Sequence, residues 1–358
     1  MLTIKKLTIP GYEQVIEGVD PARKLHCFIA IHNTVLGPAL GGTRIYPYGK
    51  PEEALHDVLR LSRGMTYKSA IAEDGLGGGK SVIIADSHTQ KTPELLHAFA
   101  EVLDSLKGQY IAAEDVGSTL ADMALIRQKT PYVASLPGDR SSGDPSRFTA
   151  WGIFRGIQAV SKKLWHTKSL RGRSVAIQGL GSVGAKLAIL LFWEGARLIV
   201  TDLDQRVTHS FAHDYSAEVV GTDEIFSVPC DIFAPCALGA IVNSDTVKSL
   251  KCAAIAGSAN NQLDTDETGW KLMEKGILYA PDYIINSGGI INAAAEFEPG
   301  GYNPSVARDK TNHIYDHLMK IFHRAEAEKK PTNEVANALA EYHIAHKIGK
   351  RKIPIQFS

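Results

Sequence analysis

Apolar and polar positions in the first third of the chain alternate between strand-like and helix-like patterns. Leu25-His26-Cys27-Phe28-Ile29-Ala30-Ile31 is an apolar run of strand length. A Gly/Pro-rich loop is expected after it, and Pro51-Glu52-Glu53 then opens a helix. Proline suits the first helical turn, and the two acids suit the positive end of the helix dipole. Ala54, Leu55, Val58, Leu59, Leu61 and Met65 keep that segment close to helical period. Residues 81–85 and 110–113 predict further short strands, and Thr119-Leu120-Ala121-Asp122 starts the next helix as a capping box. The stretch from Leu136 to Ser146 is the densest cluster of turn and breaker residues and predicts a domain border.

Beyond that border, apolar runs at Ser174–Gln178 and at residues 198–201, 231–234, 253–256 and 277–280 alternate with helical segments. This pattern predicts an α/β chain with a parallel sheet covered on both faces. Pro331 interrupts the closing helical region. Val335, Ala338, Leu339, Tyr342 and Ala345 form a last apolar stripe, and Lys350-Arg351-Lys352 reads as a solvated helix terminus. Two domains are expected, residues 1–140 and 141–330, with residues 331–358 returning to the first.

Composition narrows the partners. With 39 basic and 39 acidic residues in 358, the formal charge is zero, which argues against nucleic acid or an anionic membrane surface as the main partner. Apolar residues at 44% and charged ones at 22% suffice for a globular core. No stretch approaches the ~20 apolar residues of a membrane span, and residues 1–11 lack the apolar run of a signal peptide. Cys27, Cys230, Cys236 and Cys252 form no C-x-x-C pair, and a reduced cytoplasmic protein is expected. His343 and His346 lack a third ligand, so no metal site is expected and both are placed at a surface or interface.

The 32 glycines cluster. Gly179-Leu180-Gly181-Ser182-Val183-Gly184 follows a predicted strand and opens a helix. Asp202 ends the next strand, about 20 residues on, which is the context a dinucleotide fingerprint demands. The first glycine makes the tight turn, the second admits the pyrophosphate, and the third lets helix and strand pack closely. The pyrophosphate would sit against the unpaired amides of the helix N-terminus. Asp202 would accept hydrogen bonds from the adenosine ribose and repel a 2′-phosphate, so NAD is expected rather than NADP.

A second glycine cluster, Gly75-Leu76-Gly77-Gly78-Gly79-Lys80-Ser81, is not a P-loop. That motif needs glycine where Asp74 stands, and here the lysine leads into a strand. The glycines are expected to let substrate or cofactor approach Lys80. Lys68 lies near the end of the preceding helix, and Ala113-Glu114-Asp115 ends another strand. One lysine could hold a carboxylate while the other, desolvated beside a like charge, serves as a base.

Together these motifs resemble the amino-acid dehydrogenase family that includes glutamate, leucine, phenylalanine and valine dehydrogenases. The resemblance covers nearly the whole chain. It runs in order through Gly37-Pro38-Ala39-Leu40-Gly41-Gly42-Thr43-Arg44, residues 64–68, 77–80 and 113–117, the dinucleotide fingerprint, residues 234–239 and 256–262, and Pro281-Asp282-Tyr283-Ile284-Ile285-Asn286. Its leucine-specific members are the most similar. The resemblance implies an N-terminal α/β substrate and oligomerisation domain, a Rossmann-like NAD-binding domain and a cleft between them, in a homo-oligomer. It implies that Lys68 binds the substrate carboxylate, that Lys80 activates water, and that Asp115 exchanges protons with the amino group. Asn260 and Asn261 would lie near nicotinamide and substrate, with Thr149 and Ala237 at further cofactor positions. An L-amino acid would lose hydride to NAD⁺, and the imine would take up water and collapse to a 2-oxo acid and ammonia.

A buried substrate carboxylate on the side chain would need a cation, since leaving it unpaired costs several kcal/mol. The glutamate enzymes carry a lysine in the segment matching residues 38–42, whereas this chain has apolar Leu40, followed by Gly41 and Gly42. With Ala113, and by resemblance Ile290 and Ala293, the side-chain pocket would be apolar. Leucine, valine and isoleucine are the expected substrates, because an apolar pocket separates them by only about 1–3 kcal/mol per methylene. Ala293 replaces a bulkier valine common in leucine enzymes, which leaves an aromatic substrate as the alternative. A glutamate enzyme and a non-catalytic NAD-binding regulator are the others. Gly184 stands where leucine enzymes often have alanine, a change expected to be neutral.

Overall fold

The computed structural model describes residues 1–136, 138, 141–237 and 239–357. Positions 137, 139 and 140 of the expected border, and Leu238 of the motif at 234–239, lie outside the described residues. The chain divides into two compact units. One comprises Met1–Pro145, Ile290–Ala307 and Ala340–Ser358, the other Ser146–Gly289 and Arg308–Leu339.

In the first unit, strands β1 (Thr3–Leu7), β2 (Gln14–Asp20), β3 (Leu25–Asn33) and β4 (Ala39–Tyr46) precede helix α1 (Pro51–Ala72). Strand β5 (Gly77–Ile84), helix α2 (Pro93–Asp104), strand β6 (Tyr110–Glu114) and helix α3 (Leu120–Arg127) follow. The sheet order is β1-β2-β3-β5-β4-β6, with β4 parallel to both β5 and β6. The apolar run of β3 is continuous because both of its faces are covered. Cys27, Ile29 and Ile31 face the cluster built on Leu95, Phe99 and Leu103 of α2, while Phe28 and Ala30 pack with Ala54 and Val58 of α1. This is the period-two alternation of a strand with a helix on each side. Fully buried Phe99 alone contributes about 1.5–3 kcal/mol. Thr119 caps α3 as expected: its hydroxyl accepts the Asp122 amide at 3.2 Å, and the Asp122 carboxylate accepts the Thr119 amide at 2.8 Å.

Two expectations fail in this unit. Residues 39–46 are an inner strand rather than part of a loop, and β5 begins at Gly77, ahead of the strand expected at 81–85. A Cβ at Gly41 would strike the Gly79 carbonyl, one at Gly78 would strike Thr66 of α1, and one at Gly79 would lie 2.7 Å from the Tyr110 ring. These glycines bring the chain's own backbone and rings together.

The second unit contains α4 (Ser146–Trp165), β7 (Ser174–Gln178), α5 (Ser182–Trp193), β8 (Arg197–Thr201), α6 (Gln205–Tyr215) and β9 (Glu218–Val219). It continues through β10 (Ile232–Pro235), α7 (Ser244–Ser249), β11 (Ala254–Ile255), α8 (Glu267–Glu274), β12 (Leu278–Tyr279) and α9 (Asp282–Ile285). The strands pair in parallel, in the order β12-β11-β10-β7-β8-β9. This is the doubly wound arrangement, whose order reverses between β7 and β10; ligands of such sheets bind beyond the strand C-termini at that switch.

Helices α10 (Gly288–Ala294), α11 (Pro304–Asn312), α12 (Ile314–Glu328) and α13 (Thr332–Ala345) complete the chain. His343 is buried rather than at a surface, its Nδ1 bonded at 2.9 Å to the carbonyl of Ala70, one of the last-turn α1 carbonyls that lack helical partners. His346 is exposed, as expected. Arg351 is not solvated either. Its guanidinium donates to the carbonyls of Phe297 at 2.8 Å, Gly75 at 3.1 Å and Asp74 at 3.3 Å. Among the described residues no helix is long and apolar enough to cross a membrane.

Candidate active site

In the first unit, Lys80 on β5 and Asp115, just past β6, come together across β4. The Lys80 ammonium lies 2.7 Å from Asp115 Oδ2, with the two side chains only 5% and 14% exposed. Gly42 of β4 makes this reach possible. A Cβ there would stand 2.6 Å from the Asp115 Cβ and 3.1 Å from the Lys80 nitrogen.

Arg44, the next outward-facing residue of β4, completes the charge cluster. Its Nε lies 3.3 Å from Asp115 Oδ2, and its Nη1 lies 2.8 Å from Asp57 Oδ2, which also accepts a hydrogen bond from the Tyr48 hydroxyl at 2.5 Å. Burial lowers the Lys80 pKa below the usual lysine range, Asp115 opposes that shift, and the Arg44 charge adds to it. Burial pushes the Asp115 carboxyl up, but Lys80 and Arg44 outweigh it and hold the group down at about 2. Sequence reasoning assigned no role to Arg44, Asp57 or Tyr48. The available signal was an arginine among apolar, glycine and threonine residues, where a buried cation needs anionic partners.

Lys68 is half-buried on α1, the helix that packs on β5 at Gly78. Leu40, Ala113, Ile290 and Ala293 fall in one apolar cluster with Leu76, Ile111 and Met65; Ile355 and Phe357 of the C-terminal segment pack against it. Phe357 meets the Tyr132 ring edge-on, with centroids 4.9 Å apart. The Glu296 carboxylate fastens the loop beside this cluster by accepting from Ser142 N at 2.6 Å, Ser141 Oγ at 2.8 Å and Ser135 N at 3.0 Å.

In the second unit the expected cofactor residues gather at strand C-termini. Gly179 takes a positive φ of 94° just after β7, which glycine tolerates without strain. A Cβ at Gly184 would strike the Gly179 carbonyl, so this glycine closes helix on strand, and an alanine there, expected to be neutral, would instead force that carbonyl to shift. A Cβ at Gly181 would meet nothing within 4 Å. That open position caps α5, whose first amides are unpaired. The glycine expected to face a pyrophosphate is therefore kept clear. Leu180 completes the turn, Ser182 and Val183 open α5, and the Leu180 amide donates to Asp202 Oδ2 at 2.6 Å. Asp202, past β8, also accepts the Asp204 amide at 2.9 Å on its other oxygen, which leaves lone pairs on both oxygens for ribose hydroxyls. Ala237 follows β10 and stands over Gly179, its Cβ 2.9 Å from where a Gly179 Cβ would lie. Asn260 and Asn261 follow β11, and Asn260 Oδ1 accepts from Asn286 Nδ2 at 2.8 Å. Thr149 lies in the first turns of α4. The residues fit a dinucleotide. Asn261, expected at the substrate, groups with the cofactor residues of this unit.

An acid–base pair on one sheet and a dinucleotide cradle on a doubly wound sheet define a nicotinamide-dependent dehydrogenase. Residues 15–132 match the model of the Glu/Leu/Phe/Val dehydrogenase dimerisation domain, and residues 200–348 match that of the Glutamate/Leucine/Phenylalanine/Valine dehydrogenase domain. The chain belongs to this family. It is 48% identical to the leucine dehydrogenase of Geobacillus stearothermophilus, across 96% of this chain and 94% of that protein. It is 45% identical to the phenylalanine dehydrogenase of Caldalkalibacillus thermarum, across 95% of this chain and 93% of that protein. The crystal structure of L-tryptophan dehydrogenase from Nostoc punctiforme superposes with a TM-score of 0.79 at 44% identity, covering 94% of this chain and 97% of that one.

Proposed function

We propose that the protein catalyses the reversible NAD-dependent oxidative deamination of an L-amino acid with an apolar branched side chain to the 2-oxo acid and ammonia. Leucine is the preferred substrate, with valine and isoleucine also accepted. The observation that carries this reading is the buried Lys80–Asp115 pair on the same sheet as Leu40 and Ala113 of the apolar cluster. A glutamate side chain would find no cation at Leu40. Ala293 favours a second reading, an aromatic substrate, because its side chain fills less of the apolar cluster than a valine would.

Bound NAD⁺ supplies the hydride acceptor. Lys68 holds the substrate carboxylate, and Leu40, Ala113, Ile290 and Ala293 receive the side chain. Lys80, its pKa lowered by burial, is the base that takes a proton from the water adding to the imine carbon. Asp115 holds the lysine in place as an anion. When Lys80 is neutral, the larger of the two charges that keep Asp115 acidic is gone and only Arg44 remains, so the carboxylate becomes more basic and exchanges a proton with the amino nitrogen. The two groups therefore titrate as a pair. In this reading the protein is a cytoplasmic homo-oligomer assembled through the segment that matches the dimerisation domain.

Initial rates of NADH formation with leucine, valine, phenylalanine, tryptophan and glutamate test the proposal. The highest kcat/KM should belong to leucine and should vanish in Lys80→Ala. A maximum with phenylalanine or tryptophan would move the assignment to the aromatic reading, and NAD binding with no turnover of any amino acid would make the protein a regulator.

A further inference from the structure

The sequence suggests four unrelated thiols, but the second sheet sets two of them side by side. Cys230 and Cys252 each stand two residues before a strand, β10 and β11 respectively. The ladder between these strands pairs Ile232 with Ala254 and Phe233 with Ile255. Carried back two residues, the same register places Cys230 opposite Cys252. Backbone bonds maintain it there, with Cys230 N donating to the Lys251 carbonyl at 3.2 Å and Ala253 N to the Asp231 carbonyl at 3.0 Å.

Opposed residues of a parallel pair point to the same face, and neighbouring strands run ~4.8 Å apart. That spacing lies inside the roughly 4.4–6.8 Å range of Cα separations a disulfide can bridge. Both cysteines are partly exposed, and both pack against the cluster of Phe233, Leu250 and Ile277. Their thiols hydrogen-bond to each other, which eases ionisation of Cys252 and raises the pKa of Cys230. The other two thiols are placed differently. Cys27 is fully buried in the first unit, and Cys236, at the far end of β10, is bonded to Ser258, with burial raising its pKa.

We propose that Cys230 and Cys252 form a redox-active pair that closes into a reversible disulfide when a peroxide reaches the N-terminal edge of the second sheet. The Cys252 thiolate attacks one peroxide oxygen, the O–O bond breaks, and hydroxide leaves to become water. Cys230 then attacks the sulfenic sulfur, forming the S–S bond and releasing a second water. In sum, two thiols lose two protons and two electrons, and the peroxide is reduced to two waters. A dithiol reverses the step by exchange. A bridge across directly paired strands belongs to the strained, readily reduced class of disulfide rather than to the permanent structural one.

The test is mass spectrometry of the native protein treated with hydrogen peroxide and then alkylated. The expected product has lost the mass of two hydrogens, carries a peptide link between Cys230 and Cys252, and leaves Cys27 and Cys236 as thiols. Dithiothreitol should restore the original mass. Cys252→Ser should abolish the loss, and Cys230→Ser should leave a sulfenic acid on Cys252 that dimedone traps; both variants should keep the wild-type melting temperature. Oxygen addition to wild-type Cys252 without cross-linking, a link to any other cysteine, or no reaction at either residue would each overturn the proposal.

Discussion

The Lys80 ammonium nitrogen lies 3.1 Å from the point where Gly42 would carry a Cβ. Gly42 belongs to the strand between the one that bears Lys80 and the one that leads to Asp115. Any side chain there stands in the path of the lysine. Gly42→Ala should displace the ammonium from Asp115 and lower kcat about 100-fold, the cost of a misplacement near 1 Å. NAD affinity, measured by fluorescence titration, should stay unchanged because the cradle lies in the other unit. Full turnover in Gly42→Ala would remove the pair from the mechanism.

Arg44 should set the pH at which the enzyme works. Its charge lowers the Lys80 pKa, as burial does, whereas Asp115 opposes both. Lys80 acts as a base only when neutral, so the oxidative rate should rise with pH through its lowered pKa. In Arg44→Gln one of the two lowering influences is gone, leaving burial opposed by Asp115 and Asp57. The ascending limb of kcat/KM should then move to higher pH by about one unit. An unmoved or acid-shifted limb would rule out electrostatic control by Arg44.

Two glycines of one fingerprint should respond in opposite ways. Gly181 faces open space with φ −67°, so Gly181→Ala should leave the melting temperature unchanged. Its new methyl group would stand where the pyrophosphate approaches, and the KM for NAD should rise about tenfold, equivalent to ~1.4 kcal/mol. Gly184→Ala pushes on the Gly179 carbonyl and should lower stability as well as affinity. If Gly181→Ala changed neither property, the open position would serve no ligand.

Ala293 should govern side-chain size. Ala293→Val fills part of the apolar cluster, and the leucine-to-phenylalanine ratio of kcat/KM should increase by about 10-fold or more, as expected for one or two methylenes in an apolar pocket. A ratio that falls would place Ala293 away from the bound side chain.

The second sheet was legible in the sequence because five of its six strands are apolar runs followed by loops, whereas β9, only Glu218 and Val219 and exposed, carries no such pattern. Ser174–Gln178 is the observed β7 itself, and Gly179 and Asp202 end up joined through the Leu180 amide. The first sheet was only half legible. In β4 and β5 the glycines that look like loop signals are required by packing too tight for a Cβ, and sequence carries no distances. Asp115 and Lys80 could be named from their settings, but their meeting depends on β4 lying between their strands. That order does not follow the chain. Arg351 looked solvated because a basic run at a helix end usually is; here three carbonyls from two distant segments claim its guanidinium.

The apolar cluster draws Leu40 and Ala113 from early in the chain, Ile290 and Ala293 from late in it, and Ile355 and Phe357 from near its end. During synthesis every strand of the second sheet, up to Tyr279, leaves the ribosome before those last contributors exist. Contacts so distant in sequence form slowly. A nascent chain therefore completes the strands of its second sheet before the apolar cluster of the first unit can close.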